Sequence, residues 1–194
     1  MKELDKDALR QNLKLRRDQI STINKQQFSE AISIRAIRKI LDENSLVIAS
    51  YLSVGSEVNL NRVHHWIWES NRILLIPKII NSNGMKFVPL MSQRQIVVGK
   101  FNIPTSSSFE EYSAKKIDAM LIPLVGFNNE CDRLGMGGGF YDKFLSNPLA
   151  KNIYKIGIGF DTQGNKAFQP SPWDQKLDCV ITESKIIISP NGLK

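Results

Sequence analysis

Single apolar residues punctuate a polar N-terminal stretch: Leu9, Leu13 and Ile20 fall at helical spacing. Over residues 25–43 a second helix is predicted, with Phe28, Ala31, Ile34, Ile37 and Leu41 on one side. The pattern then changes to short apolar runs at residues 46–51, 73–76, 120–125, 156–160, 179–182 and 186–188, which predict strands. Runs that are apolar at both alternating positions mark strands covered on both faces, the habit of a parallel sheet between helices. A predicted helix over residues 59–70, between the first two strands, fits a β-α-β crossover. The expected fold is α/β, a three-layer αβα arrangement with a mainly parallel sheet flanked by helices. No repeat or low-complexity tract interrupts residues 1–194, and the most loop-like stretch, residues 104–108, is too short for a linker, so one domain is expected. Ligands in such folds sit beyond the C-terminal ends of the strands.

Composition narrows the function classes. The 194 residues carry 26 Lys plus Arg against 19 Asp plus Glu, a formal charge of +7. A chain of about 100–200 residues buries enough surface to fold without disulfides or structural metal. Cys131 and Cys179 form neither a C-x-x-C pair nor a Cys/His ligand set, which removes the usual zinc and thioredoxin signatures and leaves two inert thiols. The first twenty residues lack an apolar run of signal-peptide length, and no stretch reaches the roughly 20 apolar residues of a membrane span. A cytoplasmic protein without a membrane partner is expected. The positive charge is spread without a block of like residues, which argues against a nucleic-acid tail and leaves anionic small molecules as partners.

The strongest local anomaly follows the strand that ends near Val125. There Arg133-Leu134-Gly135-Met136-Gly137-Gly138-Gly139-Phe140-Tyr141-Asp142 places four glycines in five residues ahead of a predicted helix through Leu145. Backbone N–H groups freed of Cβ atoms can converge on a phosphate, and a helix start adds the positive end of its dipole. A flexible surface turn is the plainer alternative. The flanks favour the cradle, because Arg133 offers a guanidinium for phosphate oxygens and Asp142 a hard oxygen for Mg²⁺. The loop matches neither G-x-x-x-x-G-K-[ST] nor G-x-G-x-x-G. Lys6, Arg10, Lys14 and Arg17 share one helix face, which by itself reads as a solvated stripe. The adjacent His64 and His65 are poorly spaced for one metal, and Trp66 and Trp68 read as packing residues.

The decapeptide at residues 133–142 resembles the signature of the 5-formyltetrahydrofolate cyclo-ligases. Other segments agree in order: Lys6-Asp7-Ala8-Leu9-Arg10, Tyr51-Leu52-Ser53 with Glu57, Ile76-Pro77-Lys78, Gly157-Ile158-Gly159-Phe160-Asp161, and Trp173-Asp174-Gln175-Lys176-Leu177-Asp178. The resemblance implies an ATP- and Mg²⁺-dependent closure of 5-formyltetrahydrofolate to 5,10-methenyltetrahydrofolate, with ADP and phosphate released through a phosphorylated formyl intermediate. Carried over by residue, it implies that Lys6, Arg10, Arg133, Leu134, Gly135, Met136, Gly137, Gly138, Gly139, Phe140 and Tyr141 hold ATP. It further implies Leu52, Glu57 and residues 136–140 at the folate, Asp142 and Asp178 on Mg²⁺, and Arg133 and Lys78 as catalytic cations.

Met136 stands where some family members carry Arg, and Gly138 where some carry Lys. Charge on the transferred phosphoryl group would then come from Arg133, Lys6, Lys78 or the metal. A monomer is implied, with folate, possibly polyglutamylated, as the small-molecule partner. A non-catalytic folate- and nucleotide-binding relative is the alternative of another class, and a weak nucleic-acid binder rests on the net charge alone.

Overall fold

Polar turns set the two leading helices apart. In the computed structural model, which describes residues 3–82, 84–165 and 168–190, α1 (Glu3–Asp18) is followed by α2 (Thr22–Asp42), whose first turn is capped by Ser21: its hydroxyl accepts from the Asn24 N–H at 3.2 Å. The apolar runs that follow become β1 (Val47–Ala49), β2 (Ile73–Asn81), β6 (Ala119–Pro123), β9 (Tyr154–Ile158), β10 (Cys179–Ile181) and β11 (Ile186–Ile188), with α3 (Asn61–Glu69) crossing from β1 to β2. One further member, β3 (Gly84–Pro89), turns back on β2. The seven strands lie in the order β11-β10-β9-β6-β1-β2-β3. All internal pairs are parallel and both edge pairs antiparallel.

Alternate residues of each strand feed two cores. Ile48, Leu74 and Leu121 face Ile32, Ala36 and Ile40 of α2 and Val63 and Ile67 of α3. Ala49, Leu75, Met120 and Ile122 face Phe87, Leu145, Ala150 and Ile153 on the other side. The three-layer α/β expectation holds, although the second layer is thin: its helix, α4 (Phe140–Leu145), has six residues, and irregular turns complete the cover.

Two local expectations change. The buried face of α2 carries Ser29, Ile32, Ser33, Ala36 and Ile40, whereas Ile34 and Leu41 are exposed. Ser29 is accepted there because its Oγ takes the Asn59 N–H at 3.1 Å. The loop-like residues 104–108 also contain a strand: β5 (Pro104–Ser106) pairs antiparallel with β4 (Ile96–Val98) in a separate two-stranded ribbon. A second ribbon, β7 (Gly126–Phe127) with β8 (Arg133–Leu134), returns the chain to the mouth of the sheet, and Asn128 Oδ1 ties its turn by accepting from Glu130 N and Asp132 N, both at 2.9 Å.

Candidate active site

Where the strand order reverses, with β2 on one side of β1 and β6, β9 and β10 on the other, the loops leaving the C-terminal strand ends enclose a cavity of about 980 Å³. That crevice is the general ligand position of open α/β sheets. Its volume lies at the top of the usual range for small-molecule sites, roughly 300–1,000 Å³.

One end is cationic. Lys6, 3% exposed, extends from α1; its ammonium donates to Ser171 Oγ and to Asp174 Oδ2 at 3.0 Å. Arg10 Nε, one turn on, donates to the Gly135 carbonyl at 3.1 Å. Arg133, held by the β7–β8 ribbon, donates Nη2 to Asp142 Oδ2 at 2.7 Å and lies 5.5 Å from the Tyr141 ring centroid. A Cβ on Gly135 would stand 3.0 Å from Arg133 Nη1, so that glycine permits the guanidinium its position. Gly137 has φ +96°, a backbone state that side-chain-bearing residues rarely adopt, and lies beside Arg10.

The second end is built by the turn after β1. Glu57 Oε2 accepts from the Val54 N–H at 3.0 Å, and Tyr51 Oη donates to the Val58 carbonyl at 3.1 Å. Burial raises the Glu57 pKa, opposed by the Val54 N–H and by the Arg17 and Lys14 charges. Burial likewise pushes the Tyr51 and Tyr141 phenols up, with Glu57 adding to both. These phenols are hydrogen-bonding and packing groups at neutral pH. A third, apolar arm runs between Ile79, Met85, Ile103 and Phe140 toward Phe101, which is 66% exposed, has φ +56° and lies 6.5 Å from the Phe140 ring.

The structure thus brings Lys6, Arg10, Leu52, Glu57 and every residue from 133 to 142 to one cavity. Two expected residues do not reach it. Lys78 lies outside the main cavity: its ammonium donates to the Ser106 and Ser108 carbonyls at 3.3 and 2.9 Å and sits 4.6 Å from the Phe109 centroid. Asp178 precedes β10, at the N-terminal edge of the parallel strands, where Oδ2 accepts from Lys155 N at 2.7 Å. A carboxylate there ties strand starts together, as Asp118 does by taking the Leu46 and Val47 N–H groups. Residues missed by sequence include Phe101, Ser171 and, within a matched segment but without a role, Asp174, while Tyr51, from the matched segment 51–53, lines the cavity too. Trp173 lines it too and is 67% exposed.

Asp174 and Asp142 belong to adjoining backbone. Asp142 Oδ1 accepts from the N–H of Gln175 at 3.1 Å, and Asp174 Oδ2 from that of Ser171 at 2.7 Å. Two acids beside three cations suit an anion that brings a divalent metal. Arg133 Nε, nine-tenths buried and without a hydrogen-bond partner among the described residues, is a donor left for such an anion. No group of three or more His, Cys, Asp or Glu converges among the described residues, so a metal here would draw its other ligands from the anion and water. His64 is remote from this chemistry: Nε2 lies 2.9 Å from Ser50 Oγ in the core, and burial lowers its pKa to about 4. Trp68 Nε1 donates to the Leu90 carbonyl at 2.6 Å, a packing role.

The model of the 5-formyltetrahydrofolate cyclo-ligase family matches residues 2–183. The chain belongs to that family. A Mycoplasma pneumoniae 5-formyltetrahydrofolate cyclo-ligase is 30% identical over 93% of this chain and 99% of the relative, and one from Mus musculus is 28% identical over 92% and 93%. Among solved structures, a 5,10-methenyltetrahydrofolate synthetase from Mycoplasma pneumoniae shares 28% identity with a TM-score of 0.77, covering 92% of this chain and 99% of the other. A synthetase of the same name from Aquifex aeolicus, 24% identical, matches the fold with a TM-score of 0.82 over 97% and 95%. Membership makes this cyclo-ligase family protein a ligase of folate one-carbon metabolism, in line with the motif.

Proposed function

We propose that the protein closes 5-formyltetrahydrofolate to 5,10-methenyltetrahydrofolate with ATP as second substrate and Mg²⁺ as cofactor, releasing ADP and phosphate. A formamide oxygen is a poor leaving group. In the proposed course it takes the γ-phosphoryl group, the neighbouring folate amine attacks the activated formyl carbon, and the oxygen departs within phosphate. Such a reaction asks the protein for positioning and charge stabilisation rather than a covalent nucleophile.

The observation that carries the reading is that one cavity joins a cationic, glycine-lined end to an end with a half-buried carboxylate, in a chain of this family. Glu57 accepts paired N–H donors of the pterin, with Tyr51 and Leu52 as walls. Lys6, Arg10, Arg133 and the N–H groups of residues 135–139 take the phosphates, and Met136 to Phe140 line the junction where formyl group and γ-phosphate meet. Lys78 has no part in this. Mg²⁺ held by Asp142 and Asp174 would neutralise phosphate charge beside the same cations. Before ligands arrive, Arg133 and Lys6 are paired with those two carboxylates. With Asp142 and Asp174 holding a metal, Arg133 and Lys6 would be free for phosphate, so the charge each buried group needs would be exchanged rather than lost.

No helix among the described residues is long and apolar enough to cross a membrane, and the reading makes the protein a cytoplasmic monomer. A near-ultraviolet scan with 5-formyltetrahydrofolate and Mg²⁺, with and without ATP, tests the reaction. A band from the conjugated methenyl bridge should grow only with ATP. A flat trace from protein that still binds both ligands would assign it to a non-catalytic relative.

A further inference from the structure

Arg17, in the last turn of α1, is 5% exposed, yet it does not line the cavity. Among the described residues it forms no ion pair. A buried guanidinium without a carboxylate in direct contact is costly, and the carbonyls that end its own helix offset only part of that cost. Its Nε donates to Ser56 Oγ at 2.9 Å, and the Ser56 hydroxyl in turn donates to Asp18 Oδ1. Ser56 therefore ties the last two residues of α1 to the turn Val54-Gly55-Ser56-Glu57.

That turn is closed by Glu57 itself, whose N–H donates to the Val54 carbonyl at 3.3 Å while Oε2 accepts the Val54 N–H at 3.0 Å. Gly55 at its apex has φ +61° and open space where a Cβ would stand, so the tip adds no packing. Among the described residues, Ser56 is the turn's hydrogen-bonded link to another element. The groups that face Glu57 are two phenols, Tyr51 after β1 and Tyr141 in α4, and two cations of α1, Lys14 and Arg17. Neutral phenols and burial work against a charged carboxylate, whereas both cations favour it. Lys14 is the more exposed of the two, so solvent screens its charge more than that of Arg17.

We infer that Arg17 is a positioning residue for the folate end of the site: through Ser56 it anchors the turn that carries Glu57, and its buried charge sustains the carboxylate that receives the pterin N–H donors. The inference rests on the folate reading above. Arg17 touches no substrate and acts through Ser56 and Glu57. A pterin seated on Glu57 removes more water from it, and attraction between charges grows as solvent leaves, so Arg17 matters more in the complex than in the free protein.

The test measures equilibrium binding of 5-formyltetrahydrofolate without ATP across the acid and neutral range, and follows the Glu57 carboxyl by carbon NMR in the ligand-free proteins. Arg17→Gln, polar but uncharged, should weaken folate roughly tenfold at neutral pH and raise the pH at which Glu57 titrates by roughly one pH unit, so that binding is lost earlier on acidification. Arg17→Lys keeps the charge and should restore the Glu57 titration and most of the affinity. Ser56→Ala, a small change on a surface turn, removes the tie and should weaken folate severalfold, a readout that stands even if Arg17→Gln does not fold. In Glu57→Gln protein, adding Arg17→Gln should cost little more, because the two residues act as one unit. Equal losses with and without Glu57, a Glu57 titration unmoved by Arg17→Gln, or full folate affinity in Ser56→Ala would overturn the assignment. If wild type binds no folate, the folate reading fails instead, and the Glu57 titration still decides whether Arg17 sustains that carboxylate.

Discussion

Asp178→Ala and Asp174→Ala separate the fold's acids from the site's. Asp178 accepts the Lys155 N–H at 2.7 Å and has the Lys155 ammonium at 3.4 Å, with both side chains partly exposed. Losing a charge-assisted bond to a part-buried N–H costs about 1–2 kcal/mol, and the screened ion pair adds about 0–1 kcal/mol. A domain of this size loses about 2–4 °C per kcal/mol, so Asp178→Ala should melt roughly 2–12 °C below wild type. The Mg²⁺ concentration giving half-maximal ADP release should not change. Asp174→Ala should raise that concentration by roughly tenfold or more, since even outer-shell losses cost about tenfold in metal affinity. Thermal unfolding without ligands and ADP release titrated with Mg²⁺ read the two effects. A shifted Mg²⁺ requirement at wild-type melting temperature in Asp178→Ala, together with none in Asp174→Ala, would refute the reasoning.

Glu57→Gln should weaken folate binding far more than ATP binding by calorimetry, and equal losses would make Glu57 structural. Because burial raises its pKa, the native state holds this proton to higher pH than the unfolded chain does, so the charged form costs stability as pH rises past the carboxylate range. Glu57→Gln should therefore melt no lower than wild type at pH 7. Gly137→Ala places a Cβ at φ +96°, a strain of about 1–3 kcal/mol, and should lower both the melting temperature and ATP affinity. Unchanged values would mean that the loop does not need that conformation. His64 has the opposite sense to Glu57: its pKa falls from 6.5 to about 4, so the unfolded chain binds the proton first and stability drops as pH falls from 6.5 to about 4. The loss should be about 3 kcal/mol at most, read by denaturant titration, and His64→Gln should remove most of it.

Sequence alone was most informative where burial is two-sided. Strands β1, β6 and β10 and the first half of β2 are apolar at both alternating positions because helices or turns cover both faces, and that pattern cannot be mistaken for a half-exposed strand. Strands β4, β5, β7 and β8 form two-stranded ribbons outside the main sheet, so no two-sided apolar run marks them, and Pro104 reads locally as a turn until Val98 is placed opposite it. The buried face of α2 departs from its apolar periodicity because Ser29 and Ser33 take inward positions that periodicity gives to apolar residues. At the site, the glycine loop was legible from its glycines, whereas Asp174 and Asp178 compete within one hexapeptide. The signal that tells them apart is position relative to the strand. Asp178 abuts the apolar run of β10 and so marks its N-terminal edge, while ligands gather at the other. Lys78 misled for a related reason: successive strand residues point to opposite faces, and it is Pro77 and Ile79, one residue to either side, that line the cavity.

Helix α1 shows why the basic stripe is more than a solvated face. Lys6, Leu13 and Arg17 are all buried, with Leu9 and Arg10 half-buried between them, so the inward face of this helix carries two leucines among three cations. Leu13 packs with Val125, Leu134 and Phe168 in a small core of its own, and burying such a side chain contributes about 1.5–3 kcal/mol. On either side of that anchor the helix meets polar ground: Lys6 and Arg10 reach the residue 171–174 segment and the glycine loop, while Arg17 Nε donates to Ser56 Oγ at 2.9 Å beside Glu57. A conventional apolar stripe would dock the helix more firmly, yet it would leave both ends of the cavity without the charges that face them. The cations on the inward face of α1 are therefore the sequence trace of a helix that closes a site rather than a core.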